Sequence, residues 1–164
     1  SGTLPAWQNV TYVDIRGNNT LSGSIPHYQN INTIYLWSNN TSTISDIDDN
    51  VVWTNMRYIG VKNNMTSGMA KAAQSKLLIK ASNSAWYDIK TIDISQAGES
   101  LADTTQGGFW GDFSSTPTPS AAAVALKTLV KTKGVTVMLR GCTMPETSGD
   151  GTGFPDGFGD WWRS

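Results

Sequence analysis

The sequence predicts an α/β fold built on a parallel sheet with one open face. Three observations carry that prediction. Five short segments follow one apolar template in chain order, a helical pattern runs directly into a strand pattern, and the strand patterns alternate in polarity. In "YVDIRG", "YIGVKN" and "TIDISQ" an apolar side chain stands at every second position. Alternation puts one face of a strand in the core and the other outside it. A doubly wound sheet, buried on both faces, would read as unbroken apolar runs instead.

The template is apolar-x-x-apolar-x-apolar-x-x-Asn/Cys. Val10, Val13, Ile15 and Asn18 match it, as do Ile31, Ile34, Leu36 and Asn39, and then Met56, Ile59, Val61 and Asn64. The fourth copy has Ile89, Ile92 and Ile94, with Ala97 where Asn stood; the fifth has Val137, Leu139 and Cys142, with Gly134 in the leading place. These segments resemble leucine-rich repeats, and "NNTLSGSIP" (18–26) is similar to the stretch that follows the strand in such repeats. The resemblance implies a short, irregular solenoid whose strands line a concave sheet, with helices or loops on the convex side. It also implies that Asn18, Asn39, Asn64 and Cys142 turn inward to satisfy buried loop backbone. Counted between positions 13, 34, 59, 92 and 137, the spacing is 21, 25, 33 and 45 residues, so the later units carry insertions.

The insertions read partly as helices. In "SDIDDNVVWTN", Ser45 is a candidate N-cap with Asp48 three residues on, and Ile47 and Val51 share a face. In "SGMAKAAQSKLLIK", Met69, Ala73 and Leu77 fall at helical spacing, although "KLLIKAS" alone fits a strand. In "PSAAAVALKTLVKTKG", Ser120 caps, Ala122, Ala125, Leu129 and Val130 form a stripe, Lys131 and Lys133 fill the last turn, and Gly134 ends it. The organisation that follows is one domain over 1–164: an N-terminal cap (1–9, with Leu4 and Trp7), repeats with insertions (10–144), and a Gly/Trp-rich cap or tail (145–164). The long loop 98–119 carries Phe109, Trp110 and Phe113 among glycines, and loops of that length are functional or packed by their own side chains.

Fixing the inward residues fixes the outward ones. On the open face stand Tyr12, Asp14 and Arg16, then Thr33, Tyr35 and Trp37, then Tyr58, Gly60 and Lys62, and further along Asp93 and Arg140. Large aromatics held outside a core on rigid strands suit a contact surface, because Tyr, Trp and Arg carry binding energy. Tyr12, Asp14, Arg16, Tyr35, Trp37, Tyr58, Lys62, Asp93 and Arg140 are therefore the expected ligand-binding set. Strand aromatics also pack on cross-strand neighbours, and that reading needs no ligand.

Composition excludes several classes. Twelve basic and thirteen acidic residues leave no basic field for nucleic acid. No apolar run is long enough to insert in a membrane. One Cys and one His allow neither an internal disulfide nor a zinc site, and no cofactor is expected. His27 lies in a link and has no nucleophile motif to serve. Asp14 and Asp93 share the face but three strands apart, about 14 Å, too far for a glycosidase pair. Asp46, Asp48 and Asp49 read as a helix N-terminus, and Asp150, Asp156 and Asp160 do not match a calcium loop. Asn9, Asn18, Asn39, Asn40 and Asn64 sit in glycosylation sequons, as expected by chance in so Asn- and Thr-rich a chain.

Charged residues make up only 15% of the chain, a surface that suits an extracellular, cell-surface or virion protein. The start, "SGTLPAWQ", has no initiator Met and no signal-peptide pattern, which predicts a cut piece or a processed product. The function expected is non-catalytic: recognition of a protein or glycan on the concave face, as in an adhesion module or a phage tail-fibre receptor-binding domain. A polysaccharide or cell-wall hydrolase using loop carboxylates, and a structural protein that self-associates through its C-terminal end, are the alternatives.

Overall fold

A computed structural model of the chain gives a mixed α/β fold with a five-stranded parallel sheet and three helices. The structure describes residues 2–17, 21–38, 43–63, 69–83, 85–95, 104–140, 150–152 and 154–164, without the side chains of 38, 43, 62, 63, 95 and 140. In chain order the elements are β1 (Tyr12–Gly17), β2 (Ser22–Ile25), β3 (Thr33–Ser38), β4 (Thr43–Ile47), β5 (Tyr58–Asn63), α1 (Lys71–Ser82), β6 (Thr91–Ser95), β7 (Gly111–Asp112), β8 (Thr118–Pro119), α2 (Ala121–Lys127), β9 (Thr136–Arg140) and α3 (Asp156–Arg163).

The main sheet runs β1-β3-β5-β6-β9, every pair parallel. Val13, Ile34, Ile59, Ile92 and Val137 lie opposite one another across it, and all five are buried. Each strand is set by the same joint: the Asn32 N–H donates to the Thr11 carbonyl, Arg57 to Asn32, Lys90 to Arg57, and Thr136 to Lys90, at 2.8–2.9 Å. Val135 is buried just ahead of β9, while Gly134, expected in the leading apolar place, is exposed.

A second parallel ladder interleaves with the first. Gly2 bridges Leu21, β2 pairs with β4, and Ile44 bridges Met69. This ladder replaces the helix expected from Ser45. Ile44 and Ile47 are buried, the Asp48 N–H donates to the Ile25 carbonyl, and pairing with β2 outweighs the capping pattern of Ser45 and the three aspartates, Asp46, Asp48 and Asp49. Asp48 instead accepts from the Asn50 N–H, and Lys76 of α1 bridges Asp46 and Asp49. The Asn, Ala and Cys positions expected to end the repeats (18, 39, 64, 97 and 142) lie outside the described residues, as does the sequon at 40.

α1 and α2 form as patterned. Met69, Ala73 and Leu77 are buried at the start and along α1, which packs on α2 and β4. Ser120 caps α2, its Oγ accepting from the Ala123 N–H at 3.2 Å. After α2 the chain widens into a π-helical turn over Thr128–Thr132, and Gly134, at φ +68°, closes it. Lys133 does more than fill the last turn. Its ammonium donates to the carbonyls of Ala81, Asn83 and Trp86 at 2.9, 2.9 and 3.0 Å, satisfying the C-terminal end of α1.

The described part of the tail folds back on the long loop. Phe154, Phe158 and Trp162 are buried against Trp110 and Phe113, with Phe158 within 4.9–6.1 Å of five other rings. A side chain on Gly157 would meet the Phe113 carbonyl at 2.2 Å, so α3 reaches this distance through glycine alone. Lys127 and Lys131 donate to the Trp161 and Trp162 carbonyls at 2.7 and 2.6 Å, tying α3 to α2.

Candidate functional site

The outward residues of β1, β3 and β5 form a connected tile. The register sets Asp14 opposite Tyr35 and Arg16 opposite Trp37, because parallel strands in step repeat the same facing. Asp14 accepts twice from the Arg16 guanidinium, at 2.7 and 2.8 Å, and once from the Tyr12 hydroxyl at 3.2 Å. These donors hold the Asp14 carboxyl below the usual carboxylate range, the Arg16 hydrogen bonds most of all. Arg16 lies over the Tyr35 ring at 4.6 Å, and Tyr35 stacks on Tyr58 with centroids 6.0 Å apart. Tyr58 folds over Gly60, where a Cβ would meet its hydroxyl at 2.6 Å.

The tile is graded in exposure. Tyr12 is 57% exposed, whereas Tyr35, Trp37 and Tyr58 are half-buried. The Trp37 indole nitrogen is itself buried and finds no acceptor among the described residues. Asp93 departs from expectation. It lies opposite Gly60 as the spacing implies, yet it is 1% exposed, with Tyr58 Oη 3.5 Å from its carboxylate. The empty space above Gly60 lets Tyr58 lean across, so Asp93 supports the tile from beneath and is withdrawn from the ligand set. Lys62 and Arg140 hold the expected strand positions, but their side chains lie outside the described residues.

The front edge holds groups that the template did not register. The repeat extends three residues further upstream than its apolar positions, as aromatic-x-Asn/Asp-apolar: Trp7-Gln8-Asn9-Val10, Tyr28-Gln29-Asn30-Ile31, Trp53-Thr54-Asn55-Met56 and Trp86-Tyr87-Asp88-Ile89. Their spacing matches that of the strands, which is the signal that would have found them. The aromatic leads are core residues: Tyr28, Trp53 and Trp86 are buried, and Trp53 packs on Trp86 at 5.1 Å. Tyr28 donates to the Pro5 carbonyl at 2.9 Å, and burial pushes its hydroxyl up to about 12. Trp7 stacks on Tyr28 at 6.2 Å and remains 44% exposed.

His27 accepts from the Val52 N–H at 3.4 Å, a backbone tie between two links. Among the described residues no group of three His, Cys, Asp or Glu side chains could hold a metal ion, and no helix is long and apolar enough to cross a membrane. No family model, curated protein or solved structure matches the chain.

Proposed function

We propose that the chain is a non-catalytic recognition module that binds a protein or glycan on the open face of β1, β3 and β5. The observation that carries this is the tile Tyr12–Asp14–Arg16–Tyr35–Tyr58. Its rings are held by ion-pair, cation–π and stacking contacts while keeping exposed surface. Pre-ordered aromatics and an arginine lose little freedom when a partner arrives. The two interleaved parallel ladders support the further reading of a leucine-rich-repeat-like solenoid, with the tile on its concave side. Low charge and abundant Asn, Ser and Thr support an extracellular, cell-surface or virion setting, a phage tail-fibre tip included.

The test is capture of surface proteins and glycans from host-cell membranes by the immobilised domain, followed by Tyr35→Ala and Arg16→Ala. Loss of a binding hot spot costs about 2 kcal/mol or more, roughly a thirtyfold rise in Kd. Unchanged capture by both variants, with the circular dichroism of the parent, ends the concave-face reading.

A further inference from the structure

Resting on the recognition reading, we propose that the front corner of the molecule, beside β1 rather than on the tile, is a subsite for a neutral glycan. Two open hollows of about 590 and 470 Å³ both border Tyr12. The first runs along β1 and is lined by Trp7, Gln8 and Asn9; the second is lined by Asn30, Asn32 and Asn55. Two exposed aromatic rings stand beside primary amides, Val10, Val13 and Ile15 add an aliphatic strip to the first hollow, and Asp14, the one charged side chain among the described lining residues, is already held by Arg16.

A pyranose ring has an apolar C–H face and a rim of hydroxyls that both donate and accept. The first matches the negative face of an aromatic ring. The second matches an amide, which carries a donor and an acceptor on one side chain. Trp7 is braced for the first task, because Tyr28 stacks beneath it and is itself anchored to Pro5. Asn9, Asn30 and Asn55 are placed for the second. Each lies three residues ahead of Tyr12, Thr33 or Tyr58, which are cross-strand partners, so the amides recur at the same place in successive units.

Asparagine also favours turns, and Asn30 and Asn55 do sit in backbone turns closed by the Ile31 and Met56 N–H groups. Neither side chain takes part in a hydrogen bond among the described residues, and both are exposed, so turn closure does not use the amides. A periodic row of unengaged amides beside a braced indole suits an extended, uncharged oligosaccharide. Among the described lining residues a charged glycan meets no basic side chain.

The experiment measures binding of cellohexaose, maltohexaose and chitohexaose to the intact chain, with a heparin hexasaccharide as the charged comparison. The expected result is millimolar-or-tighter binding of at least one neutral hexamer, with the Trp7 indole N–H resonance shifted on addition. Trp7→Ala and Asn55→Ala each weaken it at least tenfold, Trp7→Phe restores most of it, and Ile79→Gln on α1 leaves it unchanged. Should Trp7→Ala fail to fold, Asn55→Ala and the indole shift in the parent still decide. No binding of any neutral hexamer, or preference for heparin, overturns the proposal. Binding lost through Tyr35→Ala alone overturns the corner and leaves the recognition reading standing. A mass that rises with concentration and is abolished by Trp7→Ala assigns the corner to a second copy of the chain, and also overturns it.

Discussion

Two aromatic clusters sit at opposite ends of the chain, and they are put to opposite uses. At the back, Trp110, Phe113, Phe154, Phe158 and Trp162 pack ring against ring until almost nothing is exposed, and lysines from α2 and its extension take up the α3 carbonyls. At the front, Tyr12, Tyr35 and Tyr58 keep accessible surface and are tied by a carboxylate and a guanidinium. Aromatic content alone therefore says little about binding. What separates the clusters is coverage: the back rings close on each other between α3 and the 104–119 loop, whereas the Tyr35–Tyr58 stack lies on a sheet face beside Asp14 and Arg16 and stays partly in water.

That contrast is sharpest under substitution. Phe158→Ala, at the hub of the back cluster, should cost about 3–5 kcal/mol, read as a drop in denaturant midpoint. A loss below about 1 kcal/mol would mean the back cluster is not a core. Lys133→Met keeps the stem but strands three carbonyls at the end of α1, and a loss of about 1–3 kcal/mol is expected in the same measurement. Gly60→Ala strikes the front. It should push the Tyr58 ring off its site at less than about 1.5 kcal/mol, because the displaced atoms are the far end of a side chain. Binding to the tile should fall while the melting temperature barely moves.

The smallest effect is a titration. Asp14 titrates below the ordinary aspartate value of 3.8, so its pairing contributes fully above that pH and is lost as pH falls through the lower folded value. Carbon-detected NMR should place the Asp14 midpoint below 3.8, and Arg16→Ala should move it upward. A midpoint unchanged in Arg16→Ala would mean the ion pair is not formed in solution.

How far the sequence foretold this differs by region. The strands were legible because period-2 apolar positions are a local signal, and the spacing of Val13, Ile34, Ile59, Ile92 and Val137 carried the parallel order. α2 was legible from Ser120 and its alanine stripe. The strand at Ile44 and Ile47 was not, because its partner β2 lies about twenty residues away and only pairing decides. α3 was illegible for the same reason: two glycines in "DGFGDWWR" argue against a helix, and packing on the 104–119 loop overrides them. At the site, the burial of Asp93 follows from missing bulk at Gly60, a property of two strands together that no single stretch displays.

The chain-order sheet has a consequence for how this protein is made. Among the described residues of the five-stranded sheet no strand is inserted between two earlier ones, so each new strand of it docks on the last one laid down. A nascent chain leaving the ribosome can add β3 to β1 and β5 to β3 as each is synthesised, without waiting for distant sequence. α3 then packs on α2 and on the 104–119 loop, both of which precede it in the chain.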